Sequence, residues 1–418
     1  MHEYVDLLRR NRNYRYLWLG AVVSQIGDWF NLIAAAALIA GLTSSGAAIS
    51  YLFLARYLPL FAFSPLAGVL ADRFDRRRLM ILSDLLRAVT VVGFLLVREP
   101  QHVWLFYLLT VGQFAFSAVF TPARSAVLAN VVVEKDLVTA NALDSFTWST
   151  MLAVGSLLGG LVAGSLGVQA AFVLDGLTFV GSAWLVGLIV LPAGLAQARQ
   201  AMAVGGWLSF VDGLRYLRHE PSILVISLVK GGGSLVWGAV NVLEIVYAKQ
   251  VFPLKGGASF TLGIIYAISG LGTGFGPLLM RRWFGDRSTH LRWAITVGFG
   301  LLAVGLWGLS AAPNFAWFSV ATLVRTVGSG TIWVFSAALL QMSVPDRFRG
   351  RVFAFEFAFL TLTQSISIFW AGYAQDSLGW DVWQVTVSMA ISCLVVGGLW
   401  FAFQLWSRPR PGPSITTS

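Results

Sequence analysis

One cysteine and four histidines in 418 residues leave little from which thiol or metal chemistry could be built. Cys393 sits inside an apolar run, so a single chain offers neither a disulfide framework nor a thiolate metal site. His2, His102, His219 and His290 fall in tails, loops or segment ends, and no two share ligand spacing. Charge is also scarce: 11% of residues are charged against 57% hydrophobic, too few polar groups to cover a water-facing globule. No glycine-rich phosphate loop with Lys and Ser or Thr occurs, which excludes ATP-driven work by this chain alone. Without a convergent nucleophile, base or ligand set, an enzyme is not expected and no cofactor is called for.

What the chain does have is long apolar runs. A helix crossing about 30 Å of hydrocarbon needs roughly 20 mostly apolar residues, and twelve segments meet that demand. They cover residues 16–41, 47–70, 79–97, 103–129, 141–165, 170–191, 222–247, 258–281, 291–311, 314–342, 350–373 and 381–406. The expected fold class is therefore an all-α membrane protein of twelve transmembrane helices. The first run follows Arg9, Arg10, Arg12 and Arg15 and is too long for a signal-peptide core, so it reads as a span rather than a cleaved leader.

A net charge of +10 raises the question of nucleic acid, and the positions of the basic residues answer it. With the N-terminal tail taken as inside, twenty-two of the 29 Lys and Arg fall in inside segments or at the inner ends of spans, whereas only Arg98, Lys249 and Lys255 fall outside. Such asymmetry places both termini in the cytoplasm and removes the case for a nucleic-acid partner.

The longest loop, residues 192–221, divides the chain into an N-terminal bundle over 1–191 and a C-terminal bundle over 222–418, six spans each. Inside it, residues 206–217 alternate apolar and polar positions at helical spacing, which reads either as an interfacial helix or as a plain linker. Short polar loops of similar design follow span four (Val133 to Ala142) and span ten (Val344 to Val352), a weak internal repeat. Two six-span repeats about an axis along the membrane normal match a common transporter plan, with the substrate path between them.

After span two comes Gly68-Val69-Leu70-Ala71-Asp72-Arg73-Phe74-Asp75-Arg76-Arg77-Arg78. The bland reading is a basic loop obeying the positive-inside rule. The functional one is a gate, in which Asp72 meets the free amides of a helix start while the arginines meet acids or helix-end carbonyls. In the order Gly68, Asp72, Arg73, Arg76, Arg77 the loop resembles the signature between spans two and three of the major facilitator superfamily, departing at Asp75, where that family more often has Gly. Ser24 to Trp29, Thr121 to Arg124, Ala140 to Ser145 and Arg349 to Val352 resemble the branch of enterobactin exporters and macrolide efflux proteins.

The resemblance covers nearly the whole chain. It implies a monomeric, multi-pass protein of the bacterial cytoplasmic membrane that works by alternating access. Gly155, Gly159 and Gly160 in span five read as close helix packing, and they are also similar to the superfamily's antiporter motif, with Ser156 in place of Pro.

Ionisable groups inside spans are costly, so each is a candidate for function. Asp28 and Arg56 reach similar mid-depth and are expected to pair, with Asp28 as a proton or substrate site. Lys230, Glu244, Arg325 and Glu356 are candidates for the opposite wall, with Glu244 and Asp175 expected near the solvated outer face. Asp84, Arg87, Arg124 and Asp144 are expected near the inner ends as gate contacts.

Aromatics make up 14% of the chain. Trp29, Phe30, Trp148, Trp237 and Trp333 are candidates to line an amphipathic cavity. The leading expectation is a secondary active, proton-coupled exporter of a small amphipathic compound such as a drug, macrolide or siderophore. The alternatives are a lipid or lysophospholipid flippase and, less favoured because His and Cys are scarce in the spans, a metal-ion exporter.

Overall fold

A computed structural model describes residues 2–43, 45–133, 136–191, 206–285 and 287–407. Among the described residues, twelve helices are long and apolar enough to cross a membrane. Spans one to six are Arg12–Leu42, Gly46–Phe63 within a helix that continues to Arg73, Arg76–Leu96, Pro100–Val131, Thr139–Ser165 and Val168–Gly187. Spans seven to twelve are Pro221–Val251, Gly257–Phe284, Ser288–Ser310, Phe315–Ser343, Phe348–Asp376 and Val382–Trp406. Each of the twelve expected segments falls on one of them.

Short polar side chains start several of these helices by accepting an otherwise unmatched backbone N–H. Asn11 accepts from Tyr14 N at 2.9 Å, Ser45 from Ala48 N at 3.1 Å and Asn314 from Trp317 N at 2.9 Å. At span twelve Asp381 and Gln384 form a reciprocal capping box. Span five carries a π turn at Met151–Gly155, and span seven ends in another at Tyr247–Val251. A helix His2–Arg10 precedes span one, and Gly206–His219 forms the helix expected between the halves. That central helix lies against the start of span eleven, where Tyr216 stacks on Phe348 at 4.2 Å and Asp212 meets Arg351 at 3.7 Å.

The packing repeats. Spans one and six, one and five, two and four, three and four, and three and six are neighbours; so are seven and twelve, seven and eleven, eight and ten, nine and ten, and nine and twelve. Adding six to each number in the first set yields the second, which is the duplication that the paired polar loops suggested. Between the sets, the principal contacts are span two with span eleven and span five with span eight. Large apolar side chains such as Trp184, Leu399 and Trp406 point outward, as a hydrocarbon surrounding permits.

Both seams are close because glycine lines them. A Cβ on Gly160 would lie 2.9 Å from Ser259 O, and one on Gly263 would lie 2.8 Å from Ser156 O. At the second seam a Cβ on Gly372 would meet Ser50 Oγ at 2.6 Å. There the carboxylate of Asp376, closing span eleven, accepts from Gly46 N at 2.8 Å, Ala47 N at 3.0 Å and the Ser45 hydroxyl, capping the start of span two. These contacts lie on the face away from the N-terminus, where Lys249 at the end of span seven also donates to Ala40 O of span one.

Replacing Gly160 with leucine is expected to part spans five and eight. Disulfide formation between Gly164→Cys and Gly256→Cys should fall several-fold, and the overpacking should cost about 1–3 kcal/mol in thermal unfolding. An undiminished cross-link would refute the close approach.

Candidate functional site

Asp28 sits near the middle of span one, with about a third of its side-chain surface (34%) uncovered. Its partner is not the expected Arg56 but Arg87 of span three, whose Nη2 donates to Asp28 Oδ1 at 3.1 Å. The same guanidinium donates to Asp84 Oδ1 at 3.1 Å and lies 3.9 Å above the Phe179 ring of span six. Arg87 is thus a central residue rather than an inner-end gate contact. Its helix begins at Arg76, and eleven residues at about 1.5 Å each carry it roughly 17 Å, about half the hydrocarbon thickness. Asp84, one turn away, is fully buried with it rather than placed at the inner face.

Arg56 is buried and donates instead to Asn31 Oδ1 at 3.1 Å, its guanidinium 4.4 Å above the Phe114 ring. The two groups therefore reach similar depth on neighbouring helices yet point to different partners. Asn31, three residues beyond Asp28, is the group that sequence reasoning passed over. Its signal was a lone amide at helical spacing from an acid in an apolar run.

Four candidates in the C-terminal half form two ion pairs. Lys230 of span seven meets Glu356 of span eleven at 3.2 Å, both nearly covered, and its ammonium lies 4.8 Å from the Trp333 ring. Arg325 of span ten meets Glu244 of span seven at 2.5 Å, with Ser269 of span eight 3.4 Å from that carboxylate. The expectation of a solvated Glu244 is overturned: it lies toward the end of its helix, but spans eight and ten cover it, leaving 3% exposed. Asp175, also expected near solvent, is 0% exposed.

Of the aromatic candidates, Trp29 tilts against Tyr266 of span eight at 5.5 Å, across the seam between the halves. Trp237 and Trp333 face each other at 5.8 Å, and Trp148 remains about half exposed. Phe30 is packed into the core, one position around the helix from Trp29, and so presents no open surface. Gly155 and Gly159 form the cradle for Trp29, since a Cβ on Gly155 would meet Trp29 Cδ1 at 2.9 Å and one on Gly159 would meet Trp29 O at 3.0 Å. Gly160 faces the other way, onto span eight.

In the basic loop, Arg77 donates to Val186 O at 3.2 Å and to Gly187 O, binding carbonyls at the end of span six. Asp75, the position that departs from the signature, caps span three by accepting from Arg78 N at 2.8 Å. Arg73 closes the span-two helix exposed, and Arg76 also has an interaction partner. The side chains of Gly68 and Asp72 lie outside the described residues. Arg124 meets Asp144 at 2.8 Å, joining spans four and five.

A family model described as the Major Facilitator Superfamily matches residues 17–355, most of the chain. The chain belongs to that superfamily. Among curated superfamily relatives, the uncharacterized MFS-type transporter YfiS of Bacillus subtilis is 25% identical over 89% of each chain. Macrolide efflux protein A of Streptococcus pyogenes is 23% identical, over 91% of this chain and 93% of its own. The fold matches that of a bacterial homolog of the human lysosomal transporter Spinster, inward-facing and unoccupied, with a TM-score of 0.73 at 14% identity over 96% of this chain and 99% of that one.

Breaking a buried ion pair from one side strands a charge, whereas removing both sides does not. Arg325→Ala is therefore expected to destabilise the purified protein by about 3–5 kcal/mol, and Arg325→Met combined with Glu244→Leu to recover most of that loss in thermal unfolding. A double variant no more stable than the single one would exclude the pairing as the cause.

Proposed function

We propose that this superfamily member is a secondary active exporter of small amphipathic compounds, coupled to protons and working by alternating access. The observation that carries the reading is Asp28. It is an acid at mid-depth of span one that keeps an uncovered edge, while Arg56, Asp84, Arg87 and Asp175 around it are buried.

Beside it, the Trp29 and Tyr266 rings meet across the seam between the halves, an apolar and aromatic surface suited to a bulky compound with a polar or cationic group. A carboxylate that can exchange its arginine partner for a proton or for a substrate cation gives two ligands one site, the simplest physical basis for antiport. Residues 1–191 and 222–418 are the two bodies that rock about this site, joined by the segment 192–221. Lys230, Glu244, Arg325 and Glu356 hold the opposing wall through their ion pairs. The sequence likeness to a macrolide efflux protein supports both the direction and the substrate class.

In this reading the protein is a monomer in the bacterial cytoplasmic membrane with both termini inside, where Arg73, Arg76 and Arg77, with the Arg124–Asp144 pair, form the inner gate. The basic residues support that orientation.

The test is flux in proteoliposomes under an imposed pH gradient, with macrolides, siderophores and lysolipids as separate probes. Wild type is expected to move a macrolide against its gradient only when the pH gradient is present. Asp28→Asn should cut that coupled flux about tenfold or more, equivalent to losing roughly 1.4 kcal/mol of differential interaction. Transport of lysolipid alone would replace the substrate class, and undiminished coupled flux in a well-folded Asp28→Asn protein would dismiss the coupling role.

A further inference from the structure

Asp175 differs from the other acids buried in the spans. Asp28 and Asp84 each face Arg87 at 3.1 Å, Glu356 faces Lys230 at 3.2 Å and Glu244 faces Arg325 at 2.5 Å. Asp175, in span six, is wholly withdrawn from solvent, and neither of its carboxylate oxygens has a hydrogen-bond partner among the described residues. The sequence makes room for it. A Cβ on Gly27 would lie 2.5 Å from Asp175 Oδ1 and 1.9 Å from Thr178 Oγ1, so the acid occupies space that only a glycine in span one leaves open.

The charged and polar groups that face it are Asp28 and Asn31 from span one, Arg56 from span two and Arg87 from span three. Every cation among them is turned elsewhere. Arg56 donates to Asn31 Oδ1, and Arg87 donates to Asp28 and Asp84. The amide Nδ2 of Asn31 faces the carboxylate without completing a hydrogen bond, so a donor stands ready. An ionised carboxylate without water or a donor is far costlier than a neutral acid, so in this arrangement Asp175 holds a proton. Arg87 lies over Phe179, one helical turn along span six from Asp175, within a side-chain swing of it.

We propose that Asp175 is a second proton site, which hands its proton to Asp28 while Arg87 moves the opposite way. The O–H bond of the Asp175 carboxyl breaks and a new O–H bond forms on the Asp28 carboxylate. Arg87 releases Asp28, now neutral, and pairs with the newly ionised Asp175, where Asn31 Nδ2 adds a second donor. Asp84 keeps hold of Arg87 throughout as the pivot. One proton moves and no charge is created or lost, so the exchange avoids the cost of exposing an unpaired ion in a medium of low dielectric constant. Asp28, through its uncovered edge, then trades that proton with water. Asp175 serves as the inner store and Asp28 as the outlet.

This deepens the proton-coupled reading above and rests on it, but its test needs no substrate. Infrared difference spectra of the full chain in liposomes, titrated through the neutral range in water and in deuterium oxide, report protonated carboxyl groups directly. Wild type is expected to show a carboxylic-acid C=O band that shifts in deuterium oxide and is lost on the alkaline side. Asp175→Asn should lack that band while keeping wild-type thermal stability, because an amide mimics the neutral acid. Asp175→Glu should retain it at a shifted frequency. Asp28→Asn should move the pH at which the band disappears, because the outlet is gone.

A band that persists in Asp175→Asn overturns the proposal. So does a wild-type band that never titrates, the behaviour of a permanently neutral packing residue, or the absence of any such band. Normal titration in a protein that moves none of the probes would sink the export reading and leave the proton site standing.

Discussion

Every polar group placed in hydrocarbon must find its partner within the protein, because no water is there to supply one. Inserting a charged residue at a helix centre costs about 2.5–3.5 kcal/mol even by the mildest scale, and this chain carries several. The structure meets the demand by drawing each cation to an acid or amide on a different span. Arg87 binds span three to span one, Arg56 binds span two to span one, Lys230 binds span seven to span eleven, and Arg325 binds span seven to span ten. Charge in this molecule is thus a set of inter-helix ties, and the ties decide which helices stand together.

Glycine supplies the complementary device. Lipid tails are as apolar as leucine, so helices in a membrane gain from close packing rather than from escaping water. Gly160 and Gly263 let spans five and eight approach backbone to backbone, while Gly155 and Gly159 accept Trp29. A seam made from small residues can close tightly, backbone against backbone. The polar latch of Asp376 on the start of span two adds a directional contact at the same face.

The two halves share a packing plan but not a chemistry. In the C-terminal half the four buried charges Lys230, Glu244, Arg325 and Glu356 are matched one to one. In the N-terminal half Arg87 serves both Asp28 and Asp84, while the carboxylate of Asp175 beside them has no hydrogen-bond partner among the described residues. That excess of acid over cation, with one of the acids keeping an open edge, is the geometry on which the proposed proton sites rest. That asymmetry is the feature of the fold with chemical content.

Fold class was legible from the chain itself, because the twelve long apolar runs, the cluster of arginines after span two and the paired polar loops are one-dimensional signals of hydrocarbon thickness and topology. The motif Gly68 to Arg77 and the basic asymmetry were equally readable, since they depend on order along the chain. Which charge meets which was not. Asp28 and Arg56 share a depth, but depth leaves rotation about the helix axis free. Only the packing of spans one, two, three and six turned Asp28 toward Arg87 and Arg56 toward Asn31.

Likewise, the distance of Glu244 and Asp175 from a helix end said where they lie along the membrane normal and nothing of what covers them. Composition and periodicity determined that this chain is a twelve-span bundle, because insertion into oil is a property of each segment alone. Pairing and burial were decided in the tertiary structure, because they are properties of several segments at once.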